Sequence, residues 1–527
     1  MIVTALGAAV YVAVHPPVGD MAAHVFRTDL FGAHGLAIWN DQWYGGHHVP
    51  AYSVLFPPLA WLLGPFAVGA LSAVGATAGF EAIVHQHFGE RSRYGALWFG
   101  VAVLTLLLTG RLPFAFGVAI GLAALLALQR RRRALAIALA AFTPLASPVA
   151  GAFLGMAGAA HALQGRRERS EAWTEGLAVA AAALLPPLIL SAAFPEGGHQ
   201  PFAVTAYLPA PLAALGFLVL LPRRESTLRI AAMLYLISAT AAFVLATPMG
   251  SNTARLGALF AGPLAACVLA GAPPGRSRTA AIVALTALLV PLAYWQWSPA
   301  VRAVSETVGD HSRNPAYYAP LLRFLDRHRE DAPARVEIVF TEGHYEAADV
   351  ARRFPLARGW ERQVDVGRND IFYSRQKLTP DRYEHWLSSQ AVRWVAVPDA
   401  KLDYSSVHER ALINSGLPYL KLVWRNKHWR VYEFTGPHPF VIPDGVRRGS
   451  PARIQAVDVG PAHVDLRVRR PGSAVVRVRW TPYWRAHKAC VEPAGNWTRV
   501  IADRRGWVRL NVSFAVSRVF SRGLRCG

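Results

Sequence analysis

The residues best placed to do chemistry in this 527-residue chain lie in its first half. Asp20 and His24 are spaced to share one face of a helix. The segment that follows includes Trp39-Asn40-Asp41-Gln42-Trp43-Tyr44-Gly45-Gly46-His47-His48. A carboxylate beside an imidazole can take a proton from an attacking hydroxyl. Asp20 is the candidate base, Asp41 its substitute, and His24 a group that would orient Asp20 or an acceptor. Three arginines stand apart from the rest: Arg27, Arg111 and Arg255. A guanidinium holds a phosphate through paired N–H donors, so these three suggest an anionic lipid phosphate as partner. Plainer roles exist for each residue. Asp20 also suits a helix N-cap, Asp41 a turn, and Arg111 and Arg255 could snorkel to an interface. No His and acid spacing here matches a zinc site, and no residue is assigned to a metal.

Composition says what positions these groups. Of all residues 53% are hydrophobic and only 17% charged, which excludes an ordinary cytosolic enzyme, a disordered chain and a small disulfide scaffold. Residues 1–299 carry 17 Arg, no Lys and 10 acids, whereas residues 300–527 hold the bulk of the charge. This pattern describes a polytopic membrane half followed by a soluble half. Fourteen of those 17 Arg fall in five short clusters between apolar runs: Arg91/Arg93, Arg130–Arg133, Arg166/Arg167/Arg169, Arg223/Arg224/Arg229 and Arg276/Arg278. The positive-inside rule places all five in the cytoplasm and gives much of the positive charge a cheaper explanation than a nucleic-acid partner.

From these anchors the spans follow. An apolar run over 2–14 reads as a first helix, and residues 16–55 form the first exterior loop. Further spans are expected near 56–84, 94–109, 113–128, 177–194, 204–221, 230–246, 255–271 and 280–297. Residues 134–163 begin and end at cytoplasmic clusters, so they cross twice or re-enter, breaking at Pro144-Leu145-Ala146-Ser147-Pro148. The total is about eleven passes, each needing roughly 20 apolar residues. An odd number puts residues 300–527 outside, in a multi-pass plasma-membrane protein.

The exterior part divides in two. A strand at 336–340, helices at 347–354, 380–390 and 407–416, a strand at 392–397 and a hairpin over 419–434 predict an α/β unit within 300–437. Short alternating runs from 438 onward predict a β-sandwich over 438–527. Trp480, Tyr483, Trp484 and Trp497 suit either its core or the faces of sugars. Cys490 and Cys526, both exterior, can pair, whereas Cys267 lies within a span.

A first span ending in Gly19-Asp20, then Trp43-Tyr44-Gly45-Gly46, Phe56-Pro57-Pro58-Leu59, Gly110-Arg111-Leu112-Pro113-Phe114, Ser147-Pro148 and Gly250-Ser251-Asn252-Thr253-Ala254-Arg255 resemble the GT-C superfamily of integral membrane glycosyltransferases. The chain also looks like large uncharacterised actinobacterial membrane proteins on that architecture. The resemblance implies transfer of a sugar from a polyprenyl-phosphate donor to an exterior glycan or lipid acceptor of the cell envelope. It implies Asp20 as general base, with Asp41 as substitute and His24 as orienter. Arg27, Arg111 and Arg255 would hold the phosphate, and Asn252, Trp43 and Tyr44 would line the substrate site. Many members carry two adjacent acids in the first loop, whereas Met21 follows Asp20 here, so a divalent cation (Mg or Mn) stays open and no cofactor is assigned. Two alternatives remain. One is a catalytically silent scaffold for envelope assembly. The other is a lipid or glycan transporter, which calls for ionisable residues in mid-span; here Glu81 and His161 lie only near cytoplasmic ends.

Overall fold

A computed structural model of the protein describes residues 1–270, 278–329, 333–444, 452–521 and 523–526; Arg276 of the last cluster lies outside the described residues. Two compact units emerge. One comprises Met1–His24, Ala51–Ser191 and Gly197–Val308, the other Val25–Pro50, Ala192–Glu196 and Gly309–Gly527. Residues 25–50, expected to belong with the membrane half, therefore group with the C-terminal half. The reason lies in their side chains, which are large and aromatic and find an apolar core only there.

The first unit is helical: α1 (Ile2–Val14), the start of α2 (Met21–His34), α3 (Phe56–Leu63), α4 (Pro65–Phe88), α5 (Arg93–Ala102), α6 (Leu104–Leu108), α7 (Leu112–Gln129), α8 (Arg133–Ala146), α9 (Pro148–Glu168), α10 (Ala172–Ala193), α11 (Val204–Tyr207), α12 (Pro209–Leu220), α13 (Ser226–Val244), α14 (Ala254–Ala270) and α15 (Arg278–Ser305). Five stretches among the described residues are long and apolar enough to cross a membrane: Pro65–Leu108, Leu112–Gln129, Ala172–Ala193, Ser226–Val244 and Gly250–Ala270. Shorter apolar helices are Ile2–Val14, Arg133–Ala146 and Val204–Val219. The chain is thus a multi-pass membrane protein.

Small residues set the helix spacing. Ala124, Ala127, Ala136, Ala140 and Ala183 form one buried cluster with Leu154 and Val179, where short side chains let backbones approach closely. Arg133 pairs with Glu171 and, at 2.6 Å, with Glu175, and His87 lies 2.8 Å from Glu225. The break read at 144–148 is a real one. α8 ends at Ser147, whose backbone is extended, and the Ser147 hydroxyl caps α9 by accepting from the Ala150 N–H. The carbonyls freed there are reused: Leu145 accepts from the Val54 and Leu55 N–H groups, and Ala146 accepts from the Ser53 hydroxyl at 2.7 Å.

The second unit has two layers of different origin. In the α/β layer, α16 (Pro315–Arg327), α17 (Glu346–Asp349), α18 (Arg362–Arg368), α19 (Pro380–Ser389) and α20 (Val407–Asn414) accompany a four-stranded sheet. With the loop strands β1 (Trp39–Asn40) and β2 (His47–His48) counted first, its order is β3-β4-β6-β5: β3 (Arg335–Ile338), β4 (Val392–Pro398), β5 (Leu420–Arg425) and β6 (Trp429–Phe434). β3 and β4 are parallel and the other pairs antiparallel. The remaining strands form β7 (Val441–Asp444), β8 (Arg453–Gly460), β9 (His463–Arg470), β10 (Gly472–Arg479), β11 (Trp484–Ala486), β12 (Cys490–Ala494), β13 (Trp497–Ala502), β14 (Gly506–Val512) and β15 (Arg525–Cys526). They make two antiparallel sheets, β15-β12-β13-β10-β7 and β11-β14-β9-β8. Cys490 and Cys526 face each other across β12 and β15 and form a disulfide. Trp484 and Tyr483 are fully buried, so two of the four aromatics weighed as sugar platforms belong to the interior instead. Trp39 of the 25–50 segment enters the same core, which explains why that segment belongs here.

Candidate active site

Three of the residues read from the sequence converge within the helical unit, and two glycines bring them together. Gly19 and Gly110 have φ of +47° and +70°, a left-handed backbone that other residues adopt at a cost. Each immediately precedes a charged residue, Asp20 and Arg111. The two turns press backbone to backbone. A Cβ on Gly110 would lie 2.7 Å from the Asp20 nitrogen and 2.9 Å from the Val18 oxygen. His24 closes the junction, its Nε2 lying 2.7 Å from the Gly110 carbonyl oxygen, while its ring packs against Tyr52 and Phe56. His24 thus anchors the Gly110 turn, as a positioning residue.

The second cation arrives from α14. The turn Gly250–Thr253 precedes that helix, pinned by the Gln200 amide donating to the Ser251 hydroxyl at 3.2 Å. Arg255 follows in the first helical turn. Its guanidinium lies 5.5 Å from the centre of the Phe114 ring, one turn along α7 from Arg111. Arg111 and Arg255 are close enough to repel one another, and Asp20 is the acid that acts on both, with the Tyr52 phenol nearby. All four are partly exposed. The Asp20 carboxylate makes no ion pair within 4 Å among the described residues, and Asp20 stands immediately before α2, its carbonyl accepting from the Ala23 and His24 N–H groups at 3.1 and 3.3 Å. Tyr52 had not been singled out in the sequence. Its one signal is a lone phenol beside Ser53, just before the Phe56-Pro57-Pro58 helix start. Asn252 lies in the turn before α14, where its N–H donates to the Met249 carbonyl at 2.8 Å.

Next to the two arginines along α7 and α14, at Gly117 and Gly257, begins an apolar cavity of about 310 Å³. Its walls include Phe80, Leu122, Met156, Phe217 and Phe260.

The other candidates lie in the second unit and are committed to its packing. Arg27 pairs with Glu361 at 2.6 Å, both buried. Trp43 stacks on Phe26 and donates to the Ala347 carbonyl at 2.9 Å. The Tyr44 hydroxyl donates to the Gly359 carbonyl and accepts from the Glu361 N–H. Asp41 is buried, accepts from Trp39 Nε1 at 2.8 Å, and is pushed well above the usual carboxylate range by burial. Nine residues read as one site are therefore divided, five in the helical unit and four in the other. Spacing alone could not divide them, because Arg27 and Glu361 are 334 positions apart.

No family model matches the chain, and no curated protein matches it. Among solved structures it is similar to ArnT from Cupriavidus metallidurans bound to undecaprenyl phosphate, with a TM-score of 0.44 and 15% identity over 83% of this chain and 98% of that one. The apo state of ArnT from Cupriavidus metallidurans gives a TM-score of 0.40 and 16% identity, covering 80% of this chain and 95% of that one.

Proposed function

We propose that the helical unit is a GT-C-type glycosyltransferase that moves a sugar from a polyprenyl-phosphate donor to a hydroxyl acceptor. The observation that carries this reading is that the Gly110 turn before Arg111 packs against the Asp20 backbone and Arg255 lies over Phe114 of the helix that follows Arg111, beside an apolar cavity. The two cations exceed the one acid, so the cluster favours an anion. A lipid phosphodiester carries one negative charge and gains a second as it leaves. The arginines hold it in the ground state and more strongly in the transition state, which is the condition for faster chemistry. The prenyl chain occupies the apolar cavity.

The step balances on these groups. The acceptor oxygen forms a bond to the anomeric carbon, and the bond from that carbon to the phosphate oxygen breaks with its electron pair. The acceptor proton passes to Asp20, and polyprenyl phosphate departs on Arg111 and Arg255. Tyr52 is a hydrogen-bond donor to the same phosphate. The eleven-pass arrangement with residues 300–527 outside the cell belongs to this proposal, as does an envelope glycan or lipid as acceptor.

Undecaprenyl phosphate binding to the detergent-solubilised full chain tests the phosphate assignment. Loss of one charge-assisted contact is worth roughly 1.5–3 kcal/mol, so Arg111→Ala and Arg255→Ala should each weaken binding about 10- to 100-fold. Asp20→Asn should keep the affinity or raise it. Unchanged affinity in both arginine variants would sink the assignment. A silent scaffold would bind the lipid but show no loss of any activity on Asp20→Asn.

A further inference from the structure

A second cationic cluster lies wholly in the other unit, where the α/β layer meets the sandwich. Arg335 opens β3, Arg477 and Arg479 are on β10, and Trp497 sits on β13 directly opposite Arg479. The three guanidiniums ring the indole, at 5.7 Å for Arg335, 5.9 Å for Arg477 and 5.3 Å for Arg479. Arg335 is 1% exposed and Arg479 9%, whereas Arg477 and Trp497 are half-buried and give access from outside.

Their hydrogen bonds go to carbonyl oxygens rather than to acids. Arg335 donates to Gln390 at 2.8 Å and to Arg477, Arg477 donates to Ser389, and Arg479 donates to Tyr44 at 2.8 Å. The Nε atoms of Arg335 and Arg477 are buried with no partner. The nearby carboxyls do not balance this charge. Glu196 is already engaged by Arg368 at 2.6 Å and by His48 at 2.9 Å. Asp41 acts on Arg335 electrostatically, but among the described residues it makes no ion pair within 4 Å with any of the three arginines. Burial and the neighbouring cations Arg368 and Arg335 bring Arg479 down to about 9. A buried charge without a counter-ion is costly, and a cation–π contact offsets only part of that cost. Gly45, at φ +69°, keeps the wall thin: a Cβ there would lie 2.8 Å from Arg335 Nη2 and 3.2 Å from the Trp497 ring.

We propose that Arg335, Arg477, Arg479 and Trp497 form a subsite for an acidic saccharide, with the guanidiniums on its anionic group and the indole edge against its sugar ring. The anion is a uronate carboxylate or a sugar phosphate; both present the same oxygens to a guanidinium.

Calorimetry on the solubilised full chain tests it with three probes: trigalacturonate, neutral maltotriose and inorganic phosphate. Trigalacturonate should bind at least tenfold more tightly than maltotriose and weaken as salt rises. Arg477→Gln should lower its affinity at least tenfold, and Arg477→Lys, which keeps the charge but not the paired donors, should lower it less. Melting curves without probe must coincide for the two variants, which separates lost binding from lost folding. Comparable binding of maltotriose, binding of inorganic phosphate alone, or indifference to Arg477→Gln would each overturn the proposal.

Discussion

Replacing Gly19 by alanine offers the sharpest mechanistic test, because it moves Asp20 without altering any charged group. An alanine Cβ at 19 would lie 2.7 Å from the Thr109 carbonyl carbon, and closer still to its oxygen, where ordinary contact begins at 3.4 Å. The obstacle is backbone, so no side chain can swing aside. The 19–20 segment must retreat by about 1 Å, and the positive φ adds roughly 1–2 kcal/mol of strain for a residue with a Cβ. A displacement of about 1 Å in a catalytic group costs on the order of 100-fold in rate, or about 2.7 kcal/mol of barrier. Arg255 rides on α14, away from the contact, and Arg111 is held by its own backbone bonds to Leu106 at 2.8 Å and Ala115 at 3.0 Å, so the 19–20 segment is the one that yields. The assay measures release of undecaprenyl phosphate from a panel of undecaprenyl-phosphate hexoses and pentoses, alongside binding of undecaprenyl phosphate itself. Turnover should fall about 100-fold while affinity stays within about threefold. Wild-type turnover in Gly19→Ala would refute the need to position Asp20. An equal loss of turnover and affinity would refute the division of labour between Asp20 and the arginines.

Three further outcomes follow from the second unit. Glu337 is fully buried, and burial, reinforced by Glu409, raises its carboxyl well above the usual range against the pull of Arg358. The folded state then binds more protons than the unfolded one above about pH 4.3, so stability falls as pH rises through that window. In Glu337→Gln the melting temperature of this unit should vary less between about pH 4 and 8; an unchanged slope would refute the assignment. The Cys490–Cys526 disulfide closes a separation of 36 residues, for which chain entropy gives about 4 kcal/mol. The Cys490→Ser, Cys526→Ser pair should therefore unfold the sandwich at lower denaturant, and an unmoved midpoint would contradict this. Asp41→Asn keeps a side chain that can accept from Trp39 and should leave undecaprenyl phosphate affinity within about twofold; a tenfold loss would return Asp41 to the site.

Much of the first unit was legible because charge is so rare there. Arg111 and Arg255 stood out as the arginines outside the clusters, Asp20 as an acid directly after an apolar run, and the helix break as two prolines four residues apart. The strands and helices of the α/β layer were likewise readable from alternation and caps, with α17 shorter than expected because the chain turns after Asp349. What the sequence hid was partnership across distance. Arg27 looked like a phosphate ligand because Glu361 could not be known to face it. Trp43 and Tyr44 looked like substrate contacts, although their polar atoms satisfy backbone groups at Ala347, Gly359 and Glu361. The buried Arg358 shows the same limit. It lies between the rings of Phe340 and Phe372, at 3.9 Å and 4.1 Å, and binds Asp365 at 2.6 Å. No spacing rule foretells such a contact.

The central claim is that Arg111 and Arg255 grip a lipid phosphate in front of Asp20. A cryo-EM map of the full chain with undecaprenyl phosphate added tests it most directly. The account predicts phosphate density within hydrogen-bonding distance of both guanidiniums, with the prenyl chain entering the cavity past Gly117 and Gly257. Density elsewhere, with Arg111 and Arg255 unoccupied at saturating lipid, would contradict it.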